Sequence, residues 1–356
     1  MRERDRPPSV PMRPLILISL LPLALAGCGG SGPGVRDAQP VHFEAPSEPI
    51  MLLADPLALV VGEFDGDPVW EELLVFHAIR PWIQMFPYVG GGSFAAEGQS
   101  INLNALLPEE ERPPSIRRAI PVDLNGDSAT DLALLSARTH RTLLLLNRGR
   151  DGLEYAGDLP PPWGDGPPGE PPVDIATGVF DRNTSIDFVV ATPREAVFFQ
   201  RVGDEMVWQR DRRPVAIGEG VSALLAGDLM RLGATELVTI HPGGVGMVRR
   251  NANRVLVLDE EHRIGLEGIA DAAAVDLNGD SFLDLVLARP EHDEVTIWLM
   301  DVDREWQPNS PSTLEIPSPV AIGSVVPPGG NRPALLVGSA AGRDGAAKVR
   351  VITQRP

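Results

Sequence analysis

An acidic nine-residue loop that recurs along the chain constrains the fold more than any other feature. The segment VDLNGDS occurs at residues 122–128 and again, letter for letter, at 275–281. Each copy is followed by an aspartate and then by an apolar run. Related segments begin at residues 63, 179 and 228, and a last apolar register begins near residue 324. The last three intervals are nearly constant at about 48 residues, which indicates a chain built from six similar units.

Each unit has the pattern of several short β-strands. One apolar run precedes the acidic loop, a second follows it directly, and a third comes about ten residues later. Turn-forming residues separate the runs, and the chain has 36 glycines and 36 prolines, as expected of a protein rich in turns. Four short strands per unit, arranged radially, predict an all-β fold. The prediction is a single β-propeller of six blades, with seven blades as the alternative.

The two ends of the repeat region predict how the ring closes. The last unit ends after its third strand, at VRVITQRP, and the segment PVHFEA at 40–45 belongs to no repeat. We therefore expect an N-terminal strand to complete the final blade, which would remove an exposed strand edge. The predicted propeller spans residues 40–356.

The N-terminal segment predicts export and anchoring. Arginines precede the apolar stretch LILISLLPLALA, which is the pattern of a signal peptide over residues 1–27. Leu25-Ala26-Gly27-Cys28 resembles the lipobox of bacterial lipoproteins, which implies lipidation of Cys28, the sole cysteine, and anchoring to a membrane. The alternative is an ordinary signal peptide with an incidental cysteine. Residues 28–39 are predicted to form a flexible tether after lipidated Cys28.

The predicted location is the cell envelope. Gly29, which follows the lipidated cysteine, resembles the residue found in lipoproteins released to the outer membrane, on its periplasmic or surface face. The net charge of −18 argues against a nucleic-acid partner, whose phosphates would be repelled. The same charge favours cations and basic partners.

The acidic loop has the donor set of a cation site. In DLNGDSATD, oxygen-bearing side chains stand at positions 1, 3, 5 and 9, and glycine at position 4 permits a tight turn. Such a set of hard oxygen ligands suits Ca²⁺ better than Mg²⁺. An EF-hand or dockerin loop is excluded because position 12 is Leu134 in one copy and Leu287 in the other. The alternative is a turn held by Asx hydrogen bonds, without metal.

The pattern D-x-[DN]-G-D-x-x-x-D followed by an aliphatic strand resembles the FG-GAP/VCBS repeat family, the blades of integrin-α-like propellers. The resemblance implies calcium held by the side chains at positions 1, 3, 5 and 9 and by the carbonyl of position 7. The two sites implied are Asp123, Asn125, Asp127, Ala129 and Asp131, and Asp276, Asn278, Asp280, Phe282 and Asp284. A third, weaker copy offers Glu63, Asp65, Asp67, Val69 and Glu71. Val179 in the third unit and Met230 and Leu232 in the fourth break the pattern, so no calcium is expected there.

No catalytic motif accompanies these loops. The chain has no HExxH, G-x-S-x-G or P-loop sequence. The sequence therefore predicts a non-enzymatic adhesion, scaffold or binding module for a protein or glycan. The alternative is a propeller enzyme, a polysaccharide lyase or hydrolase, with its residues at the central channel. The segment LPPPWGDGPPGEPP at 159–172 is predicted as a polyproline-II loop between blades, with docking as the alternative.

Overall fold

The computed structural model describes most of the repeat region. The described residues are 41, 43, 48–67, 71–77, 80–90, 93–164, 166–180, 185–203, 206–211, 213–229, 231, 233–250, 256–300, 311–326, 332–341 and 346–354. The predicted signal peptide, Cys28 and the tether lie outside these residues. Within them, no helix is both long enough and apolar enough to cross a bilayer.

The described residues form six antiparallel sheets. Blade 1 contains β2 (Pro56–Gly62), β3 (Glu72–His77), β4 (Trp82–Gly90), β5 (Ser93–Phe94) and β6 (Gln99–Asn102). Blade 2 contains β7 (Ile116–Val122), β8 (Asp131–Ser136), β9 (Thr142–Asn147) and β10 (Leu153–Asp158). Blade 3 contains β11 (Asp174–Gly178), β12 (Asp187–Ala191), β13 (Glu195–Arg201), β14 (Trp208–Arg210) and β15 (Val215–Ala216).

The remaining sheets complete the ring. Blade 4 contains β16 (Ala223–Gly227), β17 (Glu236–His241), β18 (Gly244–Arg250) and β19 (Leu256–Ile264). Blade 5 contains β20 (Asp271–Val275), β21 (Asp284–Arg289), β22 (Glu294–Trp298) and β23 (Ser312–Glu315). Blade 6 contains β24 (Pro319–Val325), β25 (Ala334–Ser339), β26 (Lys348–Ile352) and, from the other end of the chain, β1 (Ile50–Met51). The helices are short: α1 (Leu103–Leu106) and 3₁₀ turns at Glu109–Glu111, Gly149–Asp151 and Pro290–His292.

The first strands of the six blades line the centre of a closed ring. Strand β2 packs against β7 and β24, β11 packs against β7 and β16, and β20 packs against β16 and β24. The second strand of each blade is almost wholly buried, because neighbouring blades cover both of its faces with apolar side chains. The structure therefore confirms the predicted six-bladed β-propeller.

The ring closes through an N-terminal strand, as expected, but the strand begins later than the predicted 40–45. Ile50 pairs with Val349, and Met51 pairs with Lys348. Within the predicted segment, Phe43 forms an isolated bridge with Gln354. Ile50 is 5% exposed and belongs to the apolar cluster between blades 6 and 1, so burial selects it as the closing residue.

Strand alternation gives the propeller two distinct faces. The loops from first to second strands carry the acidic segments, and the turns from third to fourth strands reach the same side, which we call the acidic-loop face. The turns from second to third strands and the connections between blades lie on the opposite face. Because β26 is a third strand, the bridge of Phe43 with Gln354 lies at the acidic-loop face.

Candidate functional site

The first identical loop is held by its own aspartates. Asp123 accepts hydrogen bonds from the backbone N–H groups of Gly126 and Ser128, at 2.7 and 3.0 Å. Asp127 accepts another from the N–H of Ala129 at 2.8 Å. Gly126 has φ +82° and Ser128 has φ +69°. The short sequence thus forms a tight turn around inward-facing carboxylate oxygens.

The second identical loop, in blade 5, has the same hydrogen bonds as the first loop in blade 2. Asp276 accepts from the N–H groups of Gly279 and Ser281, both at 2.8 Å. Asp280 accepts from the N–H of Phe282 at 2.8 Å. Ser281 is again left-handed, with φ +72°. Identical sequence therefore produces identical geometry at two corners of the ring.

The asparagine at position 3 of each loop bonds to the aspartate at position 5. The side-chain oxygens of Asn125 and Asn278 accept from the N–H groups of Asp127 and Asp280, at 2.9 and 3.0 Å. Each asparagine amide also donates to the carboxylate of the same aspartate at 2.8 Å. Positions 3 and 5 of each loop are thus joined directly by hydrogen bonds.

A buried carboxylate at the start of the second strand recurs in five blades. We call these residues the clamp carboxylates: Glu72, Asp131, Asp187, Glu236 and Asp284. Each pairs in register with the last residue of its first strand, and each is at most 2% exposed. In blade 6 Ala334 takes this position.

The best-defined clamps tie the loop to the third strand of the same blade. Asp131 accepts from the N–H groups of Leu124 at 2.8 Å and Asn147 at 2.7 Å. Asp284 does the same with Leu277 and Met300, both at 2.9 Å. The clamp position is therefore occupied by an acceptor of two backbone donors, a structural role that needs no metal.

Burial raises the pKa of the clamp carboxyls in the two identical loops. The pKa of Asp131 rises to about 6 and that of Asp284 to about 7, chiefly through loss of hydration. The bonded N–H groups oppose this rise, while the charges of the loop aspartates add to it. The loops therefore concentrate negative charge that a bound cation would offset.

The weaker copy in blade 1 differs from prediction at its clamp. The structure places Glu72, and not Glu71, at the clamp position, where it accepts from the N–H of Phe64 at 2.6 Å. One extra residue in the loop causes this offset. Glu71 precedes the strand, where partial burial raises its pKa. Val69 lies outside the described residues.

Blade 1 brings its carboxylates closest together. Oxygens of Glu63, Asp65 and Glu72 lie within 4.8 Å of one another. Burial also raises the pKa of Glu72 to about 7, and the charges of Asp65 and Glu63 contribute to the rise. Asp67 donates its backbone N–H to Asp65 at 2.8 Å and is not a member of this group. Within the described chain this convergence is specific to blade 1, because the identical loops supply an asparagine in place of one carboxylate.

The donor chemistry of these loops fits Ca²⁺. Carboxylate, amide and backbone oxygens are the ligands that this cation takes, and each carboxylate oxygen that accepts one N–H keeps a second lone pair. Asp187 in blade 3 keeps the clamp, accepting from the N–H groups of Phe180 and Arg201 at 3.2 Å each. Val179 offers no side-chain oxygen beside it. The expectation that this loop binds no calcium stays a prediction.

A second group of ionisable residues lies at the centre of the ring. In each blade, one first-strand residue pairs with the fifth residue of the second strand. In chain order, these six equivalent residues are Ala58, Arg118, Asp174, Ala223, Asp271 and Ala321. Three alanines leave room at this level, and one arginine and two aspartates fill it.

Arg118 donates a hydrogen bond to Asp271 and forms an ion pair with Asp174, and both aspartates lie on other blades. Its Nη1 lies 2.6 Å from Asp271 Oδ1, and its Nε lies 3.4 Å from Asp174 Oδ1. The second oxygen of Asp174 accepts from the N–H of Leu224, and that of Asp271 accepts from the N–H of Ile322. This channel triad of Arg118, Asp174 and Asp271 therefore links blades 2 to 6.

The triad is largely shielded from water. The side chains of Asp174 and Asp271 are 3% and 6% exposed, and that of Arg118 is 18% exposed. Burial raises the pKa of Asp174 to about 6 against the opposing effects of Arg118 and of backbone N–H groups. Sequence reasoning missed the triad, although its signal was a set of charged residues inside otherwise apolar strands.

The tryptophans divide between the interior and the surface. Trp208 and Trp298 are buried within blades 3 and 5, where Trp208 packs edge-on against Phe188 with ring centroids 5.3 Å apart. Trp163, in the proline-rich loop, is only partly buried and lines an open cleft. Trp82 of β4 is partly buried and packs edge-on against His77, with ring centroids 4.6 Å apart. Among the tryptophans of the described residues, Trp208 and Trp298 thus fill the blades, and Trp163 is a surface feature.

Comparisons with known proteins identify the fold. No family model matches the chain, and no curated protein matches it. Among solved structures, BBS1N in complex with ARL6DN, soaked with lead, superposes with a TM-score of 0.52 and 12% identity over 89% of this chain and 98% of that chain. The Tc holotoxin pore of Photorhabdus luminescens gives a TM-score of 0.48 and 14% identity, over 88% of this chain and 14% of that chain. The periplasmic gluconolactonase PpgL of Pseudomonas aeruginosa gives 0.44 and 13%, over 74% and 70%. At 12% identity, the likeness to the first of these structures shows the fold alone.

Proposed function

We propose that this protein is a calcium-stabilised, lipid-anchored β-propeller of FG-GAP/VCBS type that acts as a non-enzymatic binding module of the cell envelope. The observation that carries the binding role is the channel triad. Arg118, Asp174 and Asp271 occupy the level of the ring where a channel substrate would sit, and both aspartates are committed to backbone donors on other blades. Recognition therefore falls to the loops on the two faces.

Calcium acts as a structural ion in this proposal. The two identical loops supply oxygen atoms at positions 1, 3 and 5 beside a clamp carboxylate, and blade 1 supplies three converging carboxylates. Neutralising this charge would fix the loop to the second strand. The ligands would be those that the sequence predicts, with Glu72 in place of Glu71.

The metal proposal is tested by thermal unfolding of the purified protein in calcium and in chelator. We expect a rise of several degrees with calcium, lost in the double variant Asp127→Ala/Asp280→Ala. A double variant of exposed carboxylates outside the loops, Glu109→Ala/Glu291→Ala, should keep the full rise. Equal melting temperatures with and without calcium would mean that the loops are Asx turns only.

The anchor and the binding role need separate tests. Labelling with a palmitate analogue should mark the protein and fail in Cys28→Ser; labelling of that variant would overturn the anchor. Affinity capture from native membranes in calcium should recover a partner that chelator releases. Turnover of any member of a polysaccharide panel would overturn the non-enzymatic role and support a lyase or hydrolase.

A further inference from the structure

A cleft of about 310 Å³ opens on the opposite face of blade 3. It lies between the proline-rich connection that precedes β11 and the turn from β12 to β13. Its wall includes one indole, two guanidinium groups and two carboxylates, contributed by Trp163, Arg194, Arg210, Glu170 and Glu195. We call it the blade-3 cleft.

Arg210 is fixed in this wall by neutral groups. Its Nε donates to the carbonyl of Pro162 at 2.6 Å, and its Nη1 donates to the carbonyl of Asp211 at 3.2 Å. Both acceptors are uncharged, so they orient the guanidinium without neutralising it. An oriented guanidinium with donors to spare suits a carboxylate ligand.

Arg194 adds a second positive charge at the rim. It lies in the β12–β13 turn, which Thr192 stabilises by accepting the N–H of Glu195 at 3.1 Å. Its Nε lies 3.6 Å from Glu170 Oε1, and both side chains are well exposed. A pair this exposed contributes little by itself and exchanges partners readily. Arg194 is therefore available to an incoming anion.

Trp163 supplies an apolar surface next to these charges. Its backbone lies in a turn in which the N–H of Gly164 donates to the carbonyl of Pro161 at 2.9 Å. Gly169 lies near the base of this side chain, since a Cβ there would be 4.0 Å from Trp163 Cβ. A flat ring beside cationic and carboxylate groups matches a pyranose, whose C–H face stacks on an indole while its hydroxyls meet polar side chains.

An extended peptide is a poorer match to this cleft. Peptides that bind to sheets usually add a strand to a free edge. Here the outer edge of β13 is already paired with β14 along Phe199–Arg201 and with β15 along Glu195–Ala196. Glu170 and Glu195 also supply carboxylate acceptors, which suit the many hydroxyl groups of a sugar.

We infer that the blade-3 cleft binds an acidic saccharide, with a sugar ring on Trp163 and its carboxylate on Arg210 and Arg194. This inference names a ligand class for the binding module and rests on that proposed function. The cleft lies on the face opposite to the one where Phe43 bridges Gln354.

The test is calorimetric titration of the full protein with tri-galacturonate, with its methyl ester, and with a tetraglutamate peptide. We expect tri-galacturonate to bind, about tenfold or more tightly than the uncharged ester, with an affinity that falls as salt is raised. Trp163→Ala and Arg194→Gln should each weaken binding by about tenfold or more. Arg148→Gln, which removes a similarly exposed arginine paired with Glu154 on blade 2, should leave it unchanged.

Three results would overturn the inference: no binding of tri-galacturonate, equal binding of acid and ester, or preferential binding of the peptide. Trp163→Phe guards against a folding artefact, since it keeps an aromatic face and should retain most of the affinity. Unaltered binding by Trp163→Ala would also reject the site. These failures leave the calcium-dependent stability and membrane capture of the proposed function intact, so the two ideas fail separately.

Discussion

Arg118 and Asp271 join two blades that face each other across the ring, with 2.6 Å between Nη1 and Oδ1. They are 153 residues apart in sequence. In a six-bladed ring the sheets of opposite blades share no backbone hydrogen bonds. This side-chain contact therefore connects two opposite blades directly through the centre of the ring. Asp174 and the backbone donors extend this connection to blades 3, 4 and 6.

Removing the positive charge of Arg118 should lower the free energy of unfolding. Arg118→Met keeps much of the side-chain volume but leaves two buried carboxylates without their partner, so we expect a loss of about 3–5 kcal/mol in unfolding free energy. Arg141→Met is the control, because Arg141 is half exposed and its pair with Asp158 is worth about 0–1 kcal/mol. Urea-induced unfolding at neutral pH measures both, and equal losses would contradict a stabilising role for the triad.

Asp174 should make stability depend on pH. Burial raises its pKa from 3.8 to about 6, although the charge of Arg118 and the N–H groups of Leu224 and Ile175 lower it and Asp271 raises it further. Because the folded state holds this proton more tightly than the unfolded state, its contribution to unfolding free energy falls as pH rises from about 4 to about 6. The unfolding free energy of wild type should therefore fall relative to that of Asp174→Asn as pH rises across this window. A difference that is flat from about pH 4 to about pH 6 would contradict the raised pKa.

The sequence was sufficient to predict the fold because the pattern that specifies each blade lies within a short stretch of the chain. The acidic loop and its flanking apolar runs lie within about 25 residues, and the same local pattern recurs around the ring. Ring closure was also predictable from the incomplete last unit. The exact closing residue was not, because Ile50 is selected by its packing in the cluster between two blades that are distant in sequence.

The candidate sites were less predictable, for two physical reasons. One inserted residue shifts the blade 1 clamp from Glu71 to Glu72, and only strand register reveals the shift. The channel triad depends on three strands from separate blades. Its signal was nevertheless present, because Arg118 and Asp271 precede the two identical loops by the same number of residues and share their 153-residue spacing.

The offset in blade 1 makes neighbouring glutamates behave differently toward calcium. Glu72 lies within 4.8 Å of Glu63 and Asp65, so Glu72→Gln should weaken or abolish calcium binding at that blade. Glu71→Gln should leave it intact. Calcium titration calorimetry in an Asp127→Ala/Asp280→Ala background isolates this site. A larger effect of Glu71→Gln would place the ligand where the simple alignment puts it.

Ring closure can be tested with two adjacent residues of β1. Ile50 is 5% exposed and packs in the cluster with Val349 and Val351, whereas Met51 is 53% exposed. Ile50→Ala should therefore lower the unfolding free energy by about 2 kcal/mol or more, as expected for a buried isoleucine. Met51→Ala should change it by about 0.5 kcal/mol or less. Hydrogen exchange of β26 should accelerate in the first variant alone, since the edge of blade 6 loses the strand that covers it. Similar exchange in both variants would mean that the ring is held without this closing strand.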